Sequence, residues 1–543
     1  MLKKLIAVCC VCAVLFSLSS CKKDDGHNRS FVYPIASDPG SLDPQICAND
    51  TAGTVINNLF EGLVRLDESG AIIPGVAETV DVSADGLAYT FYLRKDTKWH
   101  LIDNFKKILG EDFKDTFETS VTAHDFVFGF RRALSPETNA PNADTLFVIQ
   151  NAQAVNSGAL PATELGVEAV DNHTLRITLG TRCADFLLIL TQPICMPCSE
   201  TFFTATKGKY GLSIDYTLCN GPFYLSKWSA DKSMLLRRHV DYCGESVAKP
   251  LTVSLYVKPY EAGFQKEVSD GTYDAGPINE ADAAQWKNAG RIKSYQNTTW
   301  SLCFNTAGNV LGNLNVRLAL CRATDYNMFE FPGERARANG LLPGCVRVGD
   351  KEYREVAGSA VFPQTDAAQA KDLWEQGLKE LELSSAGFTV LCTPENEQPV
   401  KRVIQRWQQA FGVSVKVSVN VKELPELKKA VESGNYDAAL YPVTVQSASA
   451  VLSLTDFLPG AKRNIVGLNS ETYSNIVREV ISAGTSMSVV EGCRTAETFL
   501  LQNAAVYPLY HASQYFALAE NAEGIYLCPA GKTVSFMSAV KFD

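Results

Sequence analysis

The stretch 400–441 limits what this chain can fold into more tightly than any other. Val400, Val403, Ile404, Trp407, Ala410 and Phe411 recur at spacings of three and four, one face of a helix, and Gly412 supplies its stop. Val413, Val415, Val417 and Val419 then alternate with Ser414, Lys416 and Ser418, which predicts a strand with one polar face. A second helix through Leu424 and Leu427 ends at Gly434, and 436–441 returns as a more apolar strand. A β-α-β unit requires a right-handed crossover and a sheet with helices on its faces, so the predicted class is α/β.

A shorter version of the unit precedes it. A strand over 251–257 and a helix over 261–269 lead to Gly271-Thr272-Tyr273-Asp274-Ala275, which parallels Gly434-Asn435-Tyr436-Asp437-Ala438. Two related lobes facing each other are the expectation. Nearer the N-terminus, Asp85-Gly86 signals a turn, followed by alternation of Leu87, Phe91 and Leu93 against Ala88, Thr90 and Arg94. Thr122-Ala123-His124-Asp125 resembles a capping box that opens a helix with Phe126, Phe130 and Leu134 on one face.

At 543 residues with 46% hydrophobic and 20% charged, the chain has the composition of a globular protein of three to five domains. Lys plus Arg number 50 against 60 Asp plus Glu, with no basic block, which excludes nucleic acid as a natural partner. The N-terminus sets the compartment. Lys3 and Lys4 precede an apolar run over 5–18 that ends in Leu18-Ser19-Ser20-Cys21, a pattern that resembles the signal and lipobox of a bacterial lipoprotein. That resemblance implies removal of 1–20, lipid attachment at Cys21, a polar tether over 21–30 and location on the outer face of the cell membrane. The alternative is a soluble secreted protein. Cleavage removes two lysines and takes the net charge from −10 to −12. Twelve cysteines follow Cys21, an even number that suits bridges in an oxidising exterior and equally suits buried thiols.

Enzyme signatures are thin. Gly531-Lys532-Thr533 has its preceding glycine at Gly524, which leaves six intervening residues where a phosphate loop needs four. Neither His-Glu-x-x-His nor Gly-x-Ser-x-Gly occurs, and the six histidines are scattered singly, so no cofactor or metal is expected. Cys195-Met196-Pro197-Cys198 has redox spacing without a surrounding thioredoxin-like frame, and an exported thiol-redox lipoprotein stays open as an alternative. The aromatic load is 27 Phe, 20 Tyr and 6 Trp. Trp300, Tyr436, Tyr441, Tyr507 and Tyr510 sit in or beside predicted strands; core packing accounts for most, and ligand clefts use the same residues.

Read in order, several segments resemble extracellular solute-binding protein family 5, the oligopeptide-type receptors of ABC importers. They are Ser37-Asp38-Pro39-Gly40-Ser41-Leu42-Asp43-Pro44, Phe60-Glu61-Gly62-Leu63-Val64-Arg65, Asn220-Gly221-Pro222-Phe223-Tyr224, Cys303-Phe304-Asn305-Thr306 with Val316-Arg317, Leu341-Leu342-Pro343-Gly344, and Tyr507-Pro508-Leu509-Tyr510-His511. The resemblance covers nearly the whole mature chain. It implies a periplasmic-binding-protein-like type II architecture, two α/β lobes joined by a hinge with an additional inserted lobe. Lobe I would take 31–48, 177–297 and 504–543, inserted lobe II 49–176, and lobe III 298–503. A monomer that captures a small peptide by lobe closure and hands it to permease subunits, without catalysis, is implied.

For the ligand site the resemblance points to Asn49 and Asp50, to Trp300, Ser301 and Leu302 at the first crossing between lobes, and to Tyr441, Val443 and Thr444 after the second Tyr-Asp-Ala strand. Family members often place there a Trp and an Asp that receives a peptide's amino terminus. The segment here, Tyr441-Pro442-Val443-Thr444-Val445-Gln446, has neither. An ammonium desolvated in a cleft needs a counter-charge. Either Asp50 or another carboxylate substitutes, or the cargo is a sugar, metal chelate, haem or signalling peptide. Trp99-His100 also departs from the family's Trp-Asp-Gly.

Overall fold

The computed structural model describes residues 27–28, 30–67, 70–110, 117–244, 247–259, 263–286, 291–324, 337–348, 351–445, 448–483, 486–528 and 533–542. The leader 1–20, Cys21, Gln446 and Lys532 lie outside these residues. The end of the stretch read as a tether is paired backbone: His27 and Asn28 lie opposite Phe542 and Lys541, and Ser30 opens a strand.

The architecture is two-lobed α/β, as expected. Its centre is a ribbon of two thirteen-residue strands, Ile292–Phe304 and Val506–Leu518, paired antiparallel. One end of the ribbon carries Ala275–Ile278 against 515–518. The other end carries Ala438–Thr444 against 298–304, followed outward by Ala386–Cys392 and Val415–Val421. Together these make one six-stranded sheet. The ladder is interrupted twice, where Asn297 is the extra residue on one strand and Leu509 on the other. Such bulges bend a strand and sharpen its twist.

The β-α-β unit forms largely where its periodicity placed it. Helix Glu397–Phe411 buries Val400, Val403, Ile404 and Trp407 and ends at Gly412, whose φ of +62° suits a residue without a Cβ. Its strand is Val415–Val421, two residues later than the valine alternation predicts, because Gly412–Ser414 forms a short 3₁₀ turn that leaves Val413 94% exposed. Helix Leu424–Glu432 then crosses to Ala438–Thr444. The two strands of the unit do not touch. Both pair, in parallel, with Ala386–Cys392 between them.

The two Tyr-Asp-Ala segments do the same work at opposite ends of the ribbon. The Asp274 carboxylate accepts from the Val32 amide at 2.7 Å, and its carbonyl accepts from Ala519, just past the end of one ribbon strand. The Asp437 carboxylate accepts from the Thr389 amide at 2.9 Å, and its carbonyl accepts from Asn305, just past the end of the other. Each aspartate ties a neighbouring strand to a ribbon terminus.

Two smaller sheets flank this frame. Ser30–Ile35, Thr252–Val257, Ser233–Arg238 and Phe223–Ser229 form one; Ala77–Val82, Ala88–Leu93, Thr174–Thr178 and Val167–Asp171 form the other. Tyr89, Phe91 and Leu93 are buried on the second, whose strands Val167–Asp171 and Thr174–Thr178 pack on helix Ala123–Ala133 with its buried Phe126 and Phe130. The Asp125 carboxylate accepts from the Thr122 amide at 2.7 Å, the capping box read from sequence. Among the described residues no helix is long and apolar enough to cross a membrane.

Two of the family-like motifs grip each other. Asn220 accepts from the Glu61 amide at 3.0 Å and donates to the Glu61 carbonyl at 2.9 Å. Gly221 donates to the Leu59 carbonyl at 2.9 Å, and a Cβ there would stand 2.6 Å from that carbonyl carbon. Backbone cannot retreat as a flexible side chain can. We therefore expect Gly221→Ala to cost about 3 kcal/mol, the upper end of overpacking effects, read from the shift in urea midpoint. A loss below about 0.5 kcal/mol, the level of an indifferent surface change, would mean the clamp is not tight.

Candidate functional site

A cavity of about 1020 Å³ opens between two walls. One wall is built from 47–66, 142–196 and 526–537, the other from 448–481. The volume lies at the upper end of small-ligand sites. On the first wall, Asn49 caps helix Asp50–Leu59 by accepting from the Ala52 amide at 2.8 Å, and Asp50 sits in the first turn, where the helix dipole favours a carboxylate. On the second, Ser449 caps helix Ala450–Thr455, accepting from the Leu452 amide at 3.0 Å.

Direct bonds span the gap. The Ser449 hydroxyl donates to the Asp185 carboxylate. Arg463 donates through Nη2 to Asn142 Oδ1 at 2.7 Å, while its Nη1 lies 3.3 Å from Asp456. Burial pushes the Asp456 carboxyl up to about 6, against the opposing pull of Arg463 and with a further push from Asp144. Asp144 Oδ1 is buried and accepts no hydrogen bond.

Deeper in the first wall, burial lifts the Glu61 carboxyl to about 7 despite Arg65, Tyr242 and Arg94. Tyr242 donates to Glu61 Oε2 at 2.9 Å. Arg65 Nε lies 3.3 Å from Oε1 without forming a hydrogen bond, so that pair is electrostatic only.

Of the sequence-derived site residues, the cavity is lined by Asn49 and Asp50. Trp300, Ser301, Leu302, Tyr441, Val443 and Thr444 do not line it; they lie on the ribbon and the strand beside it. Trp300 stacks on Tyr510 with centroids 6.0 Å apart, Ser301 and Leu302 are buried, Tyr441 donates to Glu432 at 3.2 Å, and Val443 packs on the core. Thr444 is within 2.9 Å of Thr298 through their hydroxyls. Sequence reasoning missed Asn142, Asp144, Asp456, Lys462, Arg463 and Arg478. The pair Lys462-Arg463 after Pro459-Gly460 was the one visible signal, a doubly charged turn behind an apolar helix.

The Cys195 and Cys198 pair is not poised for exchange. Both residues are buried; Cys195 donates to the Ile189 carbonyl, and Arg132 approaches the Cys198 sulfur at 3.5 Å. Burial pushes the Cys198 thiol up to about 12 and raises that of Cys195, whereas exchange needs a thiolate. All twelve cysteines of the described residues are free thiols.

The chain matches, over residues 71–463, the family described as "Bacterial extracellular solute-binding proteins, family 5 Middle". It is 25% identical over 516 residues to a dipeptide-binding protein of Bacillus subtilis, covering 91% of this chain and 89% of that one. It is 27% identical over 507 residues to a periplasmic murein peptide-binding protein of Escherichia coli, covering 89% and 87%. Among solved structures it resembles the substrate-binding domain of an oligopeptide ABC transporter from Bacillus anthracis, with a TM-score of 0.74 at 25% identity over 95% of this chain and 99% of that one.

Two expectations follow. The folded protein should leave Cys195 and Cys198 unreacted with a thiol reagent that titrates both after denaturation; rapid native labelling would restore the redox alternative. A carboxyl raised in the folded state holds its proton longer there than in the unfolded chain, so its stabilising contribution falls as pH rises from about 4.5 to 7. Glu61→Gln should therefore flatten the pH dependence of stability between pH 5 and 7.5 by roughly 2 kcal/mol, measured by urea unfolding. An unchanged slope would show that Glu61 is ionised and paired.

Proposed function

The chain belongs to the bacterial extracellular solute-binding proteins of family 5, and from that premise we propose that it captures a short peptide between its lobes and delivers it to the permease of an ABC importer. The observation that carries the reading is the cavity of about 1020 Å³, one wall of which comes from the chain between the two ribbon strands and the other from the chain before and after them. Relatives named for dipeptides and murein peptides support a peptide cargo. A cleft of this size that mixes charged, polar and apolar side chains suits a short peptide, which carries all three kinds of group.

In this reading Cys21 carries a lipid that holds the protein on the extracytoplasmic face, and the tether reaches from it to the pairing that begins at His27. Lobe I takes 31–48, 177–297 and 504–543, lobe II 49–176 and lobe III 298–503. Closure is a hinge motion centred on Asn297 and Leu509, where the ribbon ladder is already broken. Trp300, Ser301, Leu302, Tyr441, Val443 and Thr444 then serve the hinge and its floor, while Asn49 and Asp50 face the ligand. Catalysis is not required, since energy enters through the transporter.

The test is native mass spectrometry of the mature protein purified from its own host without refolding. Peptides of a few residues, released on denaturation, are expected. Recovery of a sugar, a haem or a metal chelate in their place would keep the fold and replace the cargo.

A further inference from the structure

We propose that the cavity holds a zwitterionic peptide crosswise, with its carboxylate against the 448–481 wall and its ammonium against the opposite wall. This rests on the peptide reading above and adds the orientation. Among the described lining residues, the 448–481 wall carries Lys462, Arg463 and Arg478 against one carboxylate, Asp456. The facing wall carries the carboxylates Asp50 and Asp144 against one cation, Arg65, with the Glu61 carboxyl, raised by burial to about 7, beside that cation. The ion pair of Arg463 with Asp456 leaves the net charge of its wall unchanged. One wall is left with an excess of cations and the other with an excess of carboxylates.

Opposed charge across a cleft with low-dielectric walls makes a field along the line joining them, and a molecule with a charge at each end aligns with it. The groups are of the right kind. Arg478 spends Nη1 on Asn475 at 2.7 Å, and a guanidinium has five donors in all, in a fork that matches a carboxylate. Asp144 Oδ1 is buried with no donor to satisfy it, and an ammonium brings three. Asn142, two residues away, accepts from Arg463, which anchors the Asp144 segment where the two walls meet.

The orientation is the reverse of what the family resemblance implies. An acid following the second Tyr-Asp-Ala strand would put the amine on the 448–481 side. Tyr441-Pro442-Val443-Thr444-Val445-Gln446 offers none, and that side bears the positive excess instead.

The experiment is calorimetric titration of the whole mature protein with trialanine, its N-acetylated form and its C-amidated form. Arg478→Gln should weaken free trialanine about tenfold or more, the weight of one charge-assisted bond, and leave the C-amidated form unchanged. Asp144→Asn should weaken free trialanine similarly and leave the N-acetylated form unchanged. Arg478→Lys should recover part of the loss, which separates lost charge from damaged folding, and thermal melts check each variant. The crossed pattern overturns the proposal: Asp456→Asn acting only on ligands with a free amine, while Arg478→Gln alters free and amidated peptide alike. Equal affinity for all three peptides also overturns it and leaves peptide capture standing. If neither trialanine nor any peptide recovered from the host binds, the peptide reading itself falls, and the orientation with it.

Discussion

The antiparallel pairing of Ile292–Phe304 with Val506–Leu518 is the contact on which the rest of the molecule hangs. The largest sheet of the molecule is built on it. The strands that flank it are added at opposite ends, Ala275–Ile278 at one and Ala438–Thr444 at the other. A continuous ladder would make the pair a stiff beam. The two bulges break it at Asn297 and Leu509, close to the middle, and the buried network there keeps the break specific. Thr299 shares a hydrogen bond with His511 at 2.9 Å, whose other ring nitrogen meets Asn339, and burial holds that imidazole down to about 4, neutral at ordinary pH.

The motifs that carry the family resemblance turn out to be fasteners. Asn220 and Gly221 clamp the backbone of Glu61 and Leu59. Asn305 donates to the carbonyls of Gly434 and Tyr436 at 3.1 and 2.9 Å. Arg317, buried, spends its guanidinium on the carbonyls of Leu311, Gly312 and Asn503. In each case a side chain satisfies backbone groups that a buried turn leaves exposed to no water. Only a few residue types fit such places, which makes the segments recognisable without telling anything about the ligand.

That division explains what was legible. The helix face of Val400, Val403, Ile404 and Trp407 could be read because periodicity within one element reports burial directly. The parallel Tyr-Asp-Ala segments could be read as a repeat, though not their task, since Val32 and Thr389 are distant in sequence from the aspartates that hold them. The partner of the crossover was also hidden: nothing in 400–441 says that Ala386–Cys392 lies between its strands. For the cavity, Asn49 and Asp50 were reached through order along the chain, whereas Asn142 and Arg463 meet across 321 positions, a pairing that no local pattern announces. Trp300 and Tyr441 drew notice as aromatics near a crossing and belong to the sheet.

The buried cysteines bear on the life of the chain before it folds. Once the cores have closed, Cys195, Cys198, Cys303, Cys321 and Cys493 are shut away from solvent, and burial raises each thiol so that thiolate is scarce. None of that protection exists for a chain that has not yet folded. An oxidant met at that moment finds these thiols accessible, and a bridge such as one between Cys195 and Cys493 locks together segments that belong in different cores. Such a chain matures cleanly where the outside is reducing or where folding outruns oxidation, so the redox state of its surroundings acts as a filter on where a protein of this sequence is produced in working form.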